Sequence, residues 1–204
     1  MARIWNEMAE PLRRAASWLE ILAAPEEAKV EVIGGELFTH PRPRPEHNRS
    51  QVMMSVRIGG PFDLGEGGPG GWWILTEPDI ELARHDIVSP DLAGWRRQHL
   101  PDFPPQQPIV VTPDWVCEVL SPKTALRDRT VKADLYLRSG VPHYWLVDLE
   151  LRTLEALAAQ EGRWVRLGAW TDGAKVRIAP FDAVEIEIGT LFPPVPAETP
   201  VEGS

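Results

Sequence analysis

The sequence predicts an α/β fold, chiefly from the stretch Asp114 to Asp148. An apolar run, Trp115 to Leu120, predicts a buried strand, and a helical pattern follows it from about Thr124 to Ser139. A second apolar strand, His143 to Asp148, comes after the helix-terminating Gly140. A strand, a helix and a strand over this length form a crossover unit, so we expect the two strands to be parallel. Further antiparallel strands are predicted at Leu151–Ala159, Arg163–Ala169, Val176–Ile178 and Val184–Ile188.

Length and composition fit one globular domain, which we place at residues 1–192, followed by a disordered polar tail at 193–204. The single cysteine, Cys117, excludes an internal disulfide framework and suits a reducing, cytoplasmic location. We expect no signal peptide and no membrane span, because the apolar stretch near the start is short and interrupted by charges. The net charge of −9 argues against a general basic surface, so any nucleic-acid contact must be a local patch.

The first part of the chain predicts two helices and a strand pair. Apolar residues recur at helical spacing over Pro11–Ala23 and again over Glu46–Ile58. Between them, Lys29–Phe38 alternates polar and apolar residues around Gly34-Gly35, which predicts a hairpin or two short strands. The segment Gly59–Gly71 holds seven glycines without a phosphate-loop motif, so we expect a flexible loop.

The next part predicts a second hairpin. Its strands are Trp72–Leu82 and Asp86–Trp95, joined around Ala83-Arg84-His85. Asp91 lies inside the second of these strands, directly after Pro90. The polar, proline-rich stretch Gln98–Pro108 then predicts a loop.

Asp91 and Glu118 are candidate metal ligands. Glu118 lies in the middle of an apolar strand, where a carboxylate is costly unless it is paired or holds a metal. Asp91 lies on a strand that could neighbour it, so both side chains could project toward one point and hold a hard divalent cation. Lys132, on the following helix, could reach that point and orient a water or balance charge. Two carboxylates and a lysine suit metal-assisted phosphodiester hydrolysis.

Structural roles stay open for the same residues. Glu118 could form a buried ion pair with Arg127 or Arg129 instead of binding a metal. Asp91 could lie at a strand end and accept backbone hydrogen bonds. Lys132 could be solvated surface, as most lysines on a helix flank are.

Two residues nearer the N-terminus have plainer interpretations. His47, in the first turn of a predicted helix, is interpreted as a surface or capping residue. Glu36 follows Gly34-Gly35 and is interpreted as an acid that flanks a turn. The histidines do not fall at zinc spacing and no GxSxG motif is present, so neither a zinc site nor a serine hydrolase is predicted.

Several motifs together resemble the Uma-two family of endonucleases, a bacterial group within the PD-(D/E)XK restriction-endonuclease-like superfamily. EVLSPKT, followed by D-x3-K and GVPHYWLVD, is specific in combination. The resemblance extends from about residue 15 to Phe192. The matching segments are GGEL (34–37), PEH (45–47), EPDIEL (77–82), VSPDLAGWRR (88–97), PDWVCEVLSPKT (113–124), RDRTVKADLYLRSGVPHYWLVD (127–148) and PFDAVEIEI (180–188).

The resemblance implies a restriction-endonuclease-like core, in which a mixed β-sheet is flanked by helices. It implies that Asp91 is the motif aspartate and Glu118 the motif acid, with Mg²⁺ or Mn²⁺ as the cofactor. The motif lysine would usually stand at position 120, where this chain has Leu120, and Lys132 on the next helix looks like its replacement. Glu36 looks like the family's extra acid and could line the site. The implied activity is that of a DNA endonuclease, and related nucleases often form homodimers.

Two functions therefore remain: a metal-dependent DNA nuclease, and a catalytically weak or silent nuclease fold that binds nucleic acid or a partner protein. The inward-facing acids with Lys132 favour the enzyme, whereas the charge of −9 favours the binding module. The nine tryptophans could serve a dimer face, although core packing explains them equally well. The expected DNA contact is a local basic strip formed by Arg42, Arg44, Arg49, Arg96 and Arg97.

Overall fold

The computed structural model describes residues 15–25, 28–40 and 42–195, which form two main β-sheets with helices packed around them. The first elements are α1 (Trp18–Leu22), β1 (Lys29–Ile33), β2 (Glu36–His40) and α2 (Pro45–Met54), and α2 continues as a π-helical segment, Ser55–Leu64. Next come β3 (Trp72–Thr76), β4 (Ile80–Ala83), β5 (Asp86–Val88), β6 (Leu92–Arg96) and β7 (Trp115–Leu120). The chain continues through α3 (Ala125–Arg127), a second π-helical segment (Asp128–Lys132), α4 (Ala133–Arg138) and β8 (His143–Asp148). The last elements are β9 (Thr153–Gln160), β10 (Arg163–Thr171), β11 (Lys175–Val176), β12 (Ile186–Glu187) and a 3₁₀ helix, Ile188–Leu191.

The larger sheet is mixed, which confirms the predicted fold class. Its strand order is β10-β9-β8-β7-β6-β3, and within it β7 and β8 are parallel while the other neighbours are antiparallel. The smaller sheet, of order β2-β1-β5-β4, is antiparallel throughout. The strands β11 and β12 pair with each other and are shorter than the predicted strands, and β12 ends where the 3₁₀ helix begins at Ile188.

The crossover unit predicted from the sequence is present. The helical stretch from α3 to α4 connects β7 to β8, and Val119 pairs with Val147 in the parallel register. Because side chains alternate along a strand, Val116 and Leu120 share one face of β7 with Glu118. Val116 and Leu120 pack with the buried face of α4, so Glu118 is directed toward the same helix.

The predicted long hairpin is divided between the two sheets. Its central part, β4 and β5, belongs to the smaller sheet, whereas its outer parts, β3 and β6, pair in the larger one. Pro78 and Pro90 lie in the two breaks, and Glu77 adopts a positive φ of 48°. The breaks face each other, because the Glu77 N–H donates to the carbonyl of Asp91 at 3.1 Å. Two continuous strands were therefore the wrong prediction here, since proline interrupts both at the same level.

The glycine-rich loop is shorter than predicted. The helix that begins at Pro45 does not stop at Ile58 but continues in π-helical form to Leu64. Ile58 and Phe62 are buried four residues apart and attach this segment to the core, which outweighs the low helical propensity of the glycines between them. Of the predicted helix Pro11–Ala23, α1 is the part that falls among the described residues, and residues 1–14 lie outside them. Within the predicted tail, residues 196–204 also lie outside the described chain.

Core packing accounts for four of the tryptophans that were candidates for a dimer face. Trp72, Trp95, Trp115 and Trp145 are all buried. Across residues 15–25, 28–40 and 42–195, no helix is both long and apolar enough to cross a membrane.

Candidate active site

Asp91 lies where the chain passes from the smaller sheet to the larger one, between β5 and β6. Its side chain is buried, and its Oδ2 accepts a hydrogen bond from the Val119 N–H at 2.7 Å. Since Val119 follows Glu118 on β7, this bond fixes the motif aspartate beside the strand that carries the motif acid.

Helix α2 and strand β1 hold Asp91 from two further directions. His47 Nε2 lies 3.1 Å from Asp91 Oδ2, and one turn later Gln51 donates to the Asp91 carbonyl at 3.0 Å. Lys29 Nζ, at the start of β1, lies 3.1 Å from Asp91 Oδ1. His47 was interpreted from the sequence as a surface or capping residue, but it is half-buried against Asp91.

Glu118 is bound by the crossover helix. Lys132 Nζ lies 2.6 Å from Glu118 Oε1, and the Tyr136 hydroxyl donates to the same oxygen at 2.7 Å. Lys132 and Tyr136 are one helical turn apart and therefore share a face, as their spacing predicts. The parallel strands bring that helix back over β7, which is why a residue distant in sequence reaches Glu118.

Glu31, on β1, is a further acid beneath the cleft, and its side chain is fully buried. Lys132 Nζ contacts Glu31 Oε1 at 2.8 Å, and the Ser89 N–H donates to that oxygen at 2.9 Å. His40 Nε2 lies 2.6 Å from Glu31 Oε2. Lys132 is therefore held between two carboxylates, Glu31 and Glu118, that come from different sheets.

The π-helical segment of the crossover helix adds one more buried acid. Asp128 and Lys132 are the first and last residues of this segment, and both are buried. Both residues line the cleft, and π-helical segments occur frequently at functional sites.

The buried acids differ in their proton affinity. Burial raises the pKa of Glu118 to about 8. The charge of Lys132 lowers this pKa, whereas the neighbouring carboxyls Asp128, Asp91 and Glu31 raise it. Burial likewise raises the pKa of Asp128 above its ordinary value. Glu118 and Asp128 are thus the carboxyls of this group whose neutral form is favoured by burial.

Positively charged neighbours lower the pKa of the two other buried acids. Burial favours the neutral form of Asp91, but the charge of Lys29 and the hydrogen bond from His47 hold its pKa well below the usual range. Lys132 and His40 do the same for the pKa of Glu31. Burial works against the charge of Lys132, yet the carboxylates around it raise its pKa well above the ordinary value, so its ammonium stays protonated.

These side chains lie in and beneath a cleft with a volume of about 360 Å³. Asp91, Glu118, Asp128, Lys29 and Lys132 are among the residues that line it. Its lining also includes three exposed basic residues, Arg42, Arg44 and Lys123. The cleft thus combines an acidic floor with basic groups that are accessible to an anionic ligand.

Three of the four predicted site acids and bases converge in this cleft: Asp91, Glu118 and Lys132. Glu36 does not lie there, because it is an exposed residue at the turn end of β2. His40, at the other end of β2, reaches the site, and four residues of strand separate the two by roughly 13 Å. The acid that the first hairpin contributes to the site is Glu31.

The arginines that could have paired with Glu118 lie elsewhere. The guanidinium carbon of Arg127 lies 4.3 Å from the centre of the Phe38 ring. Arg129 pairs with Asp148 at 3.1 Å and with Glu155 at 2.9 Å. Lys132 therefore replaces either arginine as the partner of the buried acid.

The predicted basic strip is divided by the fold. Arg42 and Arg44 line the cleft, and Arg49 is exposed on α2. Arg96 and Arg97 lie at and just beyond the end of β6, which runs away from Asp91, so the structure does not bring them to the cleft. Arg97 also binds Asp63 at 2.9 Å and lies over the Trp73 ring.

Sequence reasoning missed Lys29 and Glu31 as site residues. Both lie at the polar positions of a strand in which polar and apolar residues alternate. The same alternation is typical of a strand whose polar face is in water. The burial of four consecutive residues of β1, Val30 to Ile33, shows that both faces are covered. The available signal was an acid between two valines, the same kind of signal that singled out Glu118.

The side chains present fit a divalent cation held by few protein ligands. Among the described residues, no group of three or more His, Cys, Asp or Glu side chains could hold a metal ion. Mg²⁺ commonly binds through one or two carboxylates and keeps several waters, a requirement that Asp91 and Glu118 can meet. Both contacts of Glu118 use Oε1, so Oε2 keeps its lone pairs. When all four are ionised, Glu31, Asp91, Glu118 and Asp128 carry two more charges than Lys29 and Lys132, and a divalent cation would balance this difference when His40 and His47 are neutral.

The mixed sheet and its acidic cleft define a nuclease-like fold of the restriction-endonuclease type. A solved structure from Anabaena variabilis, described as a putative nuclease belonging to DUF820, has the same fold with a TM-score of 0.69. The match covers 87% of this chain and 97% of that one, at 21% identity. Residues 17–188 match the family Uma2, described as "Putative restriction endonuclease", and the chain belongs to this family. No curated protein matches the chain. Family membership confirms the resemblance seen in the motifs and supports a nuclease.

Proposed function

We propose that this protein is a Mg²⁺- or Mn²⁺-dependent nuclease that hydrolyses phosphodiester bonds in DNA. The observation that carries the proposal is the convergence of Asp91, Glu118 and Lys132, all buried, in one cleft. Burying two acids beside each other is costly unless a cation compensates them, and such costs are typical of functional sites.

Asp91 and Glu118 would hold the metal. A divalent cation bound there would polarise a phosphate oxygen and activate a water molecule. The Val119 N–H, at 2.7 Å, and His47 Nε2, at 3.1 Å, both contact Asp91 Oδ2 and keep this carboxylate in place. Glu118 must lose its proton to act as a ligand, and its pKa of about 8 makes that loss dependent on pH near neutrality.

Lys132 assists by keeping Glu118 oriented. Its ammonium contacts Glu118 Oε1 at 2.6 Å and is anchored on its other side by Glu31. The Tyr136 hydroxyl fixes the same oxygen, and burial together with the charge of Glu118 raises the Tyr136 pKa well above its ordinary value. Tyr136 therefore stays a hydrogen-bond donor throughout the pH range in which Glu118 titrates.

DNA would approach along the basic residues of the cleft, Arg42, Arg44 and Lys123, which can neutralise backbone phosphates despite the net charge of −9. Arg49 is exposed on α2 and could extend this contact. A cytoplasmic location suits such a substrate and the buried free thiol of Cys117. A homodimer would allow both strands of a duplex to be cut.

Incubation of the purified protein with supercoiled plasmid and with single-stranded DNA tests the proposal. We expect nicking or degradation in Mn²⁺ or Mg²⁺, no reaction in EDTA, and no reaction with Glu118→Ala. Wild-type activity of Glu118→Ala would remove this acid from the site. The matched control is Glu66→Ala, which removes an exposed acid outside the cleft.

One observation favours a second function, a catalytically silent module that binds nucleic acid or a protein. Both oxygens of Asp91 already have partners: Lys29 on Oδ1, and His47 with the Val119 N–H on Oδ2. Lys29 and His47 could therefore take the place of a metal ion permanently. This alternative would be favoured if the protein binds DNA but does not cleave it in any divalent cation, and if its melting temperature is unchanged by those cations.

A further inference from the structure

We propose that Lys29 is the lysine that contacts a backbone phosphate of the bound nucleic acid, while Lys132 is a positioning residue that acts through Glu118. This inference rests on the proposed function, because it names the group that meets the substrate in the same cleft. Both lysines line that cleft, and their burial distinguishes them.

The Lys132 ammonium is not accessible to a substrate. Its side chain is 2% exposed, and it contacts Glu118 at 2.6 Å and Glu31 at 2.8 Å. Turning it toward a phosphate would break both contacts and leave Glu31, whose side chain has no exposure, without its lysine. Removing one member of a buried ion pair is strongly unfavourable, so Lys132 stays in place while a ligand binds.

The Lys29 ammonium is accessible and has a hydrogen-bond donor to spare. Its side chain is 25% exposed, and it meets Asp91 Oδ1 at 3.1 Å and Glu77 Oε1 at 3.4 Å. Glu77 is itself 44% exposed, so that contact is weakened by water and is readily exchanged. An ammonium has three donors, which leaves one for a phosphate oxygen even when both carboxylates stay bound.

The backbone places Lys29 next to the motif aspartate in a fixed position. Strand β1 pairs Lys29 with His40, and Lys29 lies two residues before Glu31, so both side chains leave the same face of the strand. Glu31 anchors Lys132 from below while Lys29 reaches Asp91. The Lys29 ammonium is positively charged at neutral pH, as an ordinary lysine is.

Other cations of the cleft do not combine these properties. Arg42, Arg44 and Lys123 are exposed residues of the lining without a contact to Asp91 among the described hydrogen bonds and ion pairs. They would bind the flanking backbone, whereas Lys29 would bind the phosphate nearest the motif aspartate.

Binding of a fluorescein-labelled DNA duplex, measured by anisotropy in EDTA over a series of salt concentrations, tests this assignment apart from cleavage. Each phosphate contact contributes about 0.9 to the slope of log K against log salt. We expect Lys29→Gln and Lys29→Met to make the slope shallower by about 0.9, and Lys29→Arg to retain it. Lys175→Met is the matched control, since Lys175 is exposed on β11 outside the cleft, and its slope should equal that of the wild type.

Each outcome decides the assignment. A slope that is unchanged in folded Lys29→Gln and Lys29→Met, or a wild-type protein that does not bind the duplex, would overturn it. Plasmid cleavage by the wild type alongside an unchanged slope would leave the proposed nuclease intact. A shallower slope in a protein that never cleaves DNA would support Lys29 as a phosphate contact and remove the nuclease.

Discussion

Lys132 Nζ lies 2.6 Å from Glu118 Oε1, and this contact joins the helix and the first strand of the crossover unit inside the cleft. The lysine also contacts Glu31 on the other sheet, so it links three separate elements. Its charge compensates two acids, yet Asp91 and Asp128 add further negative charge nearby. Even with Lys29 beside Asp91, the four buried acids outnumber the two lysines that compensate them.

Divalent metal is expected to stabilise the fold. A cation that binds only the native state at 100 times its dissociation constant adds about 2.7 kcal/mol, which for a chain of this size raises the melting temperature by roughly 5–10 °C. Differential scanning fluorimetry in Mn²⁺ and in EDTA measures the shift. Glu118→Gln keeps the side-chain volume but should lose the response, whereas Glu66→Gln should keep it. Equal melting temperatures of the wild type in Mn²⁺ and EDTA would count against the metal site.

The stability of the metal-free protein should fall as pH rises from about 4.5 to about 8. Glu118 has an ordinary pKa of 4.5 and a folded-state pKa of about 8, so the folded state binds the extra proton over this window. Because the folded state holds more protons than the unfolded state, stability decreases with pH, by up to about 1.4 kcal/mol per unit from this one group. Asp91 and Glu31 act with the opposite sign, and their contribution is lost below pH 4.

Urea unfolding of the wild type and Glu118→Gln across this pH range measures the effect. The decline between pH 4.5 and 8 should be smaller in the variant, because glutamine does not titrate while Asp128 and His47, whose pKa values are also raised, still do. Glu66→Gln, which changes an exposed acid, should keep the wild-type profile. A decline of the same size in Glu118→Gln as in the wild type would assign the proton to another group.

Lys132→Met should destabilise the protein by about 3–5 kcal/mol, the usual cost of leaving a buried charge without its partner. The uncompensated group is chiefly Glu31, whose side chain has no exposure. Lys175→Met is the matched control, because Lys175 is 58% exposed and lies 3.7 Å from Glu187, so its loss should cost less than about 1 kcal/mol. Similar urea midpoints for the two variants would show that Lys132 is not needed to balance the buried acids.

DNA binding should depend on the arginines of the cleft rather than on those at the end of β6. Arg42→Ala and Arg44→Ala should each make the slope of log K against log salt shallower by up to about 0.9. Arg97→Ala should instead lower stability, since Arg97 binds Asp63 and the Trp72 carbonyl. Anisotropy over a salt series and thermal melts separate the two effects. A shallower slope in folded Arg97→Ala alone would move the DNA groove to the other end of the sheet.

The elements that sequence could predict are those with one dominant local signal. The apolar runs of β7 and β8 and the helical pattern between them identified the crossover unit, and the acid inside β7 identified Glu118. The prediction of a long continuous hairpin was wrong, because the alternating pattern does not show that Pro78 and Pro90 interrupt the two strands opposite each other.

The missed site residues depend on contacts between distant elements. His47 reaches Asp91 because α2 packs beside the start of β6, which no local pattern reveals. Glu31 and Lys29 looked like the solvated face of a strand, and their burial follows from how the smaller sheet meets the crossover helix. The sequence placed Arg96 and Arg97 near Asp91 by proximity along the chain, but an extended strand of five residues carries them away by roughly 16 Å.

The most direct measurement is the rate of plasmid nicking against Mn²⁺ concentration for the wild type and for Asp91→Asn, which keeps the side-chain shape but removes its charge. We expect a wild-type rate that is zero in EDTA and saturates with Mn²⁺, and no nicking by Asp91→Asn at any concentration. Nicking by the wild type in EDTA, or equal rates for the wild type and Asp91→Asn, would contradict a metal-dependent nuclease site at Asp91 and Glu118.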